Sequence, residues 1–314
     1  MFNTLAGKFG GFAGGSSNYL GTKILTANTT ITFPNGVGFA VVKLFGGRGN
    51  SGQGGYTSLK LGSSSAGQTY YVTTDGNESP GGTWVNNGGP GAGPGGTHVR
   101  SRRGGGFVAL STATMGPGGG SIPTKVGVIL GISGGSGSGQ PQSGTGAGSG
   151  GYPAGGNGGA FSGTTAPGGR GGNNTTPSPV VSPSAGSALF GVLGTISPAP
   201  NSGSGGGGGA GYIGGNKGTA TSTSGGRGGG GGGGSNYYVP SSNPHLSSVA
   251  NSVFSKSSGY DTTDIDYDVT LGRVTAPDSS ETGSTGYAVI RFFTGDEPNY
   301  DDFDSSQPTA PNGF

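Results

Sequence analysis

The residues with the densest chemical potential are four aspartates, Asp261, Asp264, Asp266 and Asp268, spaced so that an extended chain sets alternate carboxylates on one face. Such a row attracts a hard cation such as calcium. It lacks the glycine and glutamate positions of a helix-loop calcium motif, so solvation or pairing with basic side chains is the stronger reading. Asp264 and Asp266 also have the residue types of a paired-carboxylate hydrolase, but that chemistry needs a set separation across a cleft, which sequence spacing does not show. The abundant hydroxyl residues have no convincing base and orienting group. His98 and His245 are the only histidines and read as ordinary surface or turn residues; a zinc site would need carboxylates drawn from far apart. Gly7 and Lys8 are followed by Phe9, without the glycine spacing or the Ser/Thr of a phosphate loop. No catalytic, metal or cofactor constellation emerges, and the chain is expected to be non-enzymatic.

Arg100, Arg102 and Arg103 form the most compact basic cluster. With Tyr56, Tyr70, Tyr71 and Trp84 elsewhere they have the residue types for phosphate contact and base stacking. A salt-bridge role toward the acidic C-terminal region is the stronger reading, and nucleic acid is not an expected partner. The charge distribution supports this: residues 1–260 carry 13 Lys and Arg against Asp75 and Glu78, a surplus of +11, whereas residues 261–314 carry Arg273 and Arg291 against 11 acids, a surplus of −9. Attraction between the two, within or between subunits, follows from that asymmetry.

The elements that must position these residues are unusual. Of 314 residues 80 are glycine, and only 28% are hydrophobic, well below an ordinary domain even after the roughly 7% glycine counted in its roughly 45–50% is set aside. A large conventional core is excluded. Ordering a glycine costs about 0.5–1 kcal/mol more than ordering alanine, so ordered tracts need dense backbone hydrogen bonding and close approach. The every-third-glycine period of collagen is absent. The expected architecture is an all-β scaffold or sandwich carrying inserted polyglycine-type extended helices and glycine-rich loops.

Alternation and apolar runs predict strands over 22–33 with a turn near Ala27 and Asn28, then over 38–45, 56–61 and 68–73, with Pro34, Asn35 and Gly36 as a turn. Residues 98–103 read as a short edge strand, 106–111 and 125–132 as buried strands, 187–196 as a strand between glycine layers, and 264–271 and 286–293 as strands near the C-terminus. The expected organisation is an N-terminal arm (1–18), one glycine-rich β domain (19–295) with tracts 134–186 and 203–234, and an acidic tail (296–314). Absence of cysteine removes disulfides and thiolate sites. Met1 to Gly15 is too short and interrupted for a secretory segment, and no apolar run reaches the length of a membrane-spanning helix. Asn28, Asn77, Asn173 and Asn174 match the N-glycosylation acceptor pattern, which matters only in a glycosylating compartment.

From Thr29 to Gly47 the chain reads TTITFPNGVGFAVVKLFGG. This resembles the entry strand pair of the glycine-rich domains of viral, phage and bacterial surface proteins, in which a Phe-Pro-x-Gly turn (Phe33, Pro34, Gly36) leads to a valine-rich strand (Val41, Val42, Leu44) that runs into glycines (Gly46, Gly47). Similar domains occur outside the anaplastic lymphoma kinase group of receptors. The resemblance continues through Gln68–Val72, Gly96–Arg100, Val126–Gly135, the glycine blocks 151–172 and 203–234, and the closing strand Gly286–Phe293, covering residues 20–294. The cysteines of the receptor examples are absent here, which makes the viral or microbial branch the nearer one. The resemblance implies attachment or assembly: a virion component such as a minor capsid protein, fibre or spike, with a host-binding adhesin or a microbial surface-matrix protein as alternatives. Other virion or capsid proteins are the expected partners, with a homo-oligomer and a host surface glycan or protein as further possibilities. The expected partner contacts are Phe2, Phe9, Phe12, Arg100, Arg102, Arg103, Tyr300, Phe303 and Phe314. An adhesin would use aromatic loops around Trp84, Tyr152 or Tyr212.

Overall fold

A computed structural model describes residues 19–49, 52–74, 104–112, 129–139, 146–160, 167–173, 205–219, 228–248, 252–260, 262–271 and 286–294. Among the described residues ten strands form two five-stranded antiparallel sheets packed as a sandwich. The first sheet has the order β1 (Tyr19–Leu25), β10 (Tyr287–Phe293), β3 (Phe39–Phe45), β4 (Tyr56–Gly62), β9 (Val253–Ser255). The second has the order β2 (Thr29–Thr32), β5 (Thr69–Thr73), β6 (Val108–Ser111), β7 (Ile129–Ser133), β8 (Tyr237–Tyr238).

The period of two along each strand explains the core. Ala40, Val42 and Leu44 of β3 and Ala288, Ile290 and Phe292 of β10 point between the sheets, meeting Leu59, Leu61, Tyr70, Val72, Val108 and Leu110. Apart from Lys43 and Arg291, the alternate residues of β3 and β10 are also apolar because their face is covered: Phe45, Tyr287 and Val289 pack beneath Tyr260, with Tyr267 and Leu271 alongside. Strands buried on both sides read as continuous apolar runs, which is why these were legible in the sequence. At Pro34–Val37 the predicted turn forms, with Val37 donating to the Pro34 carbonyl at 3.3 Å. Gly36 takes φ +89 there, a conformation that favours glycine. Phe33, just before it, is fully buried edge-on against Phe292.

Several expectations change. Residues 264–271 form turns, not a strand; the Asp266 N–H donates to Asp264 Oδ1 (2.8 Å) and the Thr270 N–H to Asp268 Oδ1 (2.7 Å), which captures backbone donors that a ladder would need. The short strands β8 and β9 carry too few residues to announce themselves by pattern. The expected strands at 98–103 and 187–196 lie outside the described residues.

The glycine segments leave the sandwich at the end where β3 runs into Gly46. Their hydrogen bonding is periodic. In the fully buried segment 228–235, the N–H groups of Gly229, Gly230 and Gly231 donate to Thr219, Gly159 and Ser138, and those of Gly232, Gly233 and Gly234 return to the same neighbours at Asn216, Gly156 and Gly135. Its carbonyls accept in the same rotation, from Gly206, Gly169 and Gly148, then from Gly209, Gly172 and Gly151, all twelve bonds lying between 2.8 and 3.2 Å. Each third residue meets the same partner, so one backbone is ringed by six others, three antiparallel and three parallel. A Cβ on Gly232 would sit far inside contact distance of the Arg170 carbonyl, and one on Gly155 would do the same at Gly233. Absence of side chains is the condition for this spacing.

Candidate functional site

The connectivity gives the molecule two chemically different ends. Tyr19 pairs with Phe293, and Gly38 donates to the Phe293 carbonyl, so the start of β1 and the end of β10 both lie at the end opposite Gly46. At the far end of the glycine array, Gly159 donates to Gly146 (2.8 Å), Thr219 to Pro167 (3.1 Å) and Gly229 to Thr219 (2.9 Å). Gly146, Ala160, Pro167 and Thr219 are exposed there. These segment ends are joined by residues 140–145, 161–166 and 220–227, which lie outside the described residues and are rich in Ser and Thr with no acidic residue.

Asn236 couples the array to the sandwich. Its Oδ1 accepts from the Gly134 N–H (2.7 Å), while Nδ2 donates to the Tyr56 carbonyl (3.1 Å) and to Ser255 Oγ (2.8 Å). The residue is fully buried, and the Gly134 N–H finds its acceptor in this side chain, whereas the Tyr56 carbonyl and Ser255 Oγ also bond to each other.

The densest polar cluster lies on the outer face of the first sheet. Lys43 Nζ is 3.1 Å from both Asp264 Oδ1 and Asp266 Oδ2, with the lysine side chain 2% exposed and the two aspartates 6% and 9%. Arg291 on β10 pairs with Asp266 Oδ1. The Tyr56 hydroxyl donates to Asp264 Oδ2 at 2.7 Å, and the Asp266 N–H donates to Asp264 Oδ1 at 2.8 Å. The turns at 262–271 are thereby fixed over the sheet. Asp264 and Asp266 do come together, but with the Lys43 ammonium between them, which realises the expected attraction between the basic body and the acidic C-terminal region. Among the described residues no group of three or more His, Cys, Asp or Glu can hold a metal. Asp268 stands apart, held below the usual carboxylate range by its hydrogen bonds from the Thr270 hydroxyl and N–H.

Lys43 and Arg291 were not singled out by sequence reasoning, and Tyr56 was considered only for stacking, although a signal existed. FAVVKLF and YAVIRFF each place one cation inside an apolar strand. A cation on a buried face needs an acidic partner, and the aspartates at 264 and 266 were the nearest dense supply. Burial also pushes the Tyr260 and Tyr287 phenols well above the ordinary tyrosine range. Tyr260 donates to the Gly46 carbonyl, the first glycine of the array.

All nine expected partner contacts, Phe2, Phe9, Phe12, Arg100, Arg102, Arg103, Tyr300, Phe303 and Phe314, lie outside the described residues, as do Trp84 and His98. Tyr152 and Tyr212 do not sit in outlying aromatic loops. They are half-buried and stack on Tyr238 and Tyr237 of β8, with centroids 4.7 and 4.3 Å apart, at the base of the array. Burial and the neighbouring Tyr152 push the Tyr238 phenol up to about 12. His245 packs edge-on against Tyr70 with Nδ1 3.0 Å from its hydroxyl, an ordinary turn position. Among the described residues no helix is long and apolar enough to cross a membrane. No protein-family model matches the chain, and a search of curated proteins finds no similar one.

Proposed function

We propose that this chain is a non-enzymatic structural component of a virion, of the fibre or spike kind, mounted through its terminal segments and presenting the far end of the glycine array outward. The observation that carries this reading is the placement of the two ends: the start of β1 and the end of β10 lie together at one end of the sandwich, and the glycine array extends from the other, with the segment ends flanking 140–145, 161–166 and 220–227 at its far tip. The assignment to a virion rests on the resemblance of residues 20–294 to viral and microbial glycine-rich domains. In this reading the segments from Gly134 to Gly234 are polyglycine-type extended helices, whose three residues per turn and lack of internal hydrogen bonds match the rotation of partners around Gly229–Gly234. Such an array is stiff because successive peptide groups of Gly229–Gly234 are tied to different neighbouring segments. It suits a protein that must hold short polar connections away from its mount.

The same polarity favours a receptor-binding tip over a cement protein that is buried on all sides. A host surface glycan or protein is then the ligand class for the connections at 140–145, 161–166 and 220–227, whose hydroxyl and amide groups suit hydrogen bonding to a polar surface. An epitope inserted within 220–227 should be accessible to antibody on intact particles, and one placed within 296–314 should be hidden. The reverse pattern would sink the proposed orientation. Deleting residues 296–314 should leave the β body folded and reduce incorporation into particles; normal incorporation would remove the mounting role of that segment.

A further inference from the structure

We propose that Lys43 and Asp264 become joined by an intramolecular isopeptide bond, formed without any enzyme, with Asp266 as the proton carrier. The geometry of one buried pocket of side chains carries the inference. Lys43 Nζ and the Asp264 carboxyl are 3.1 Å apart and both almost wholly buried, so nucleophile and electrophile are held together away from competing water. The Asp264 carboxyl is the better electrophile of the two. Its Oδ2 accepts from the Tyr56 hydroxyl and its Oδ1 from the Asp266 N–H, two donors placed to stabilise the charge that develops when an amine adds to the carbon. Asp266 has the other role. Its Oδ1 is tied to Arg291, while Oδ2 lies 3.1 Å from Lys43 Nζ, is buried, and makes no hydrogen bond of its own. That oxygen has a lone pair beside the attacking nitrogen.

The reaction begins from the tautomer of the Lys43–Asp264 pair in which the lysine proton has moved to the carboxylate. The neutral amine then adds to Cγ of Asp264, forming the N–C bond. Asp266 Oδ2 takes a proton from the nitrogen and passes it to the departing hydroxyl, the C–OH bond breaks, and one water leaves. Amine and carboxylic acid give amide and water, Asp266 ends as it began, and neither oxidant nor activated donor is consumed. Arg291 acts as a positioning residue that orients Asp266. Around the site, Phe45, Tyr260, Tyr267 and Tyr287 supply the apolar enclosure in which an ion pair gains least over its neutral form. The product would tie β3 covalently to a segment 221 residues later and fasten the 262–271 turns over the outer face of the sheet. This is independent of whether the protein is a virion component.

The test is mass spectrometry of the full-length, denatured, unaltered protein followed by proteolytic mapping. The expected chain is lighter than its sequence by one water, and the peptide containing Lys43 is recovered attached through its side chain to the peptide containing Asp264. A chain of full mass with both peptides linear overturns the proposal, as does a loss of water that maps elsewhere, such as a cyclised aspartate. Lys43→Met and Asp264→Ala should each restore the full mass. Asp264→Asn should give the same linked peptides with loss of ammonia instead of water. Asp266→Asn should lower the linked fraction; full linkage in that variant would overturn the assignment of Asp266. If a variant fails to fold, the mass and map of the unaltered chain still decide.

Discussion

The sandwich and the glycine array are both buried and both ordered, yet they are held by opposite means. Between the sheets, Leu44, Ile290, Leu61 and Leu110 fill space with side chains, and backbone ladders supply the frame. In the array, residues 228–234 carry no side chain, and one backbone touches six others directly. The first core tolerates a change of shape when neighbours repack; the second has no side chains to move. The difference teaches that low hydrophobic content does not prevent a dry interior when the missing side chains are replaced by neighbouring peptide groups.

The comparison breaks most sharply at Gly232. Adding one methyl there, Gly232→Ala, drives a Cβ into the Arg170 carbonyl and backbone. We expect loss of cooperative folding or a cost above about 4 kcal/mol, in the exceptional range for a single substitution. Leu44→Ala, which removes three carbons from the fully buried sandwich core, should cost about 2–5 kcal/mol. Denaturant titration of both variants tests whether inserting one carbon in the array costs at least as much as deleting three in the sandwich. A Gly232→Ala protein of unaltered stability would show that the array does not pack as described.

Asn236→Ala probes the junction. It leaves the buried Gly134 N–H without its side-chain acceptor, at a cost of about 1–3 kcal/mol. Hydrogen exchange on this variant should show faster opening around Gly134 than around β3. Equal opening in both regions would mean that array and sandwich do not separate at this point.

Alkaline titration offers a milder contrast. Folded-state burial raises the Tyr260, Tyr287, Tyr237 and Tyr212 phenols above the ordinary tyrosine value of 10.0. Between that value and the raised folded value, the unfolded chain binds fewer protons than the folded one, so stability falls as pH rises. The contribution is complete below the unfolded value and is lost progressively above it. Phenolate absorbance should therefore rise late for these tyrosines and in step with unfolding; early, complete ionisation of all tyrosines in the folded protein would contradict their burial. At the bottom of the scale, Gly146→Ala meets nothing within 4 Å at the exposed end of the array, and should shift stability by no more than about 0.5 kcal/mol. The contrast with Gly232 separates packing from glycine content as such.

By itself the sequence determined the strands at 39–45, 56–62, 69–73 and 287–293, because apolar residues at a period of two, or in runs buried on both faces, declare the strand and its covered sides. Composition likewise required that any ordered glycine tract be held by its backbone. Tertiary structure alone decided which carbonyl each glycine meets, that Lys43 finds Asp264 and Asp266, that Tyr152 and Tyr212 stack at the base of the array, and that the start of β1 and the end of β10 lie at one end. The physical reason is that a side chain carries its preference for a face or a partner in its own chemistry. A glycine carries none: its N–H and carbonyl are identical along the tract, so register and neighbour are fixed only when the surrounding segments arrive.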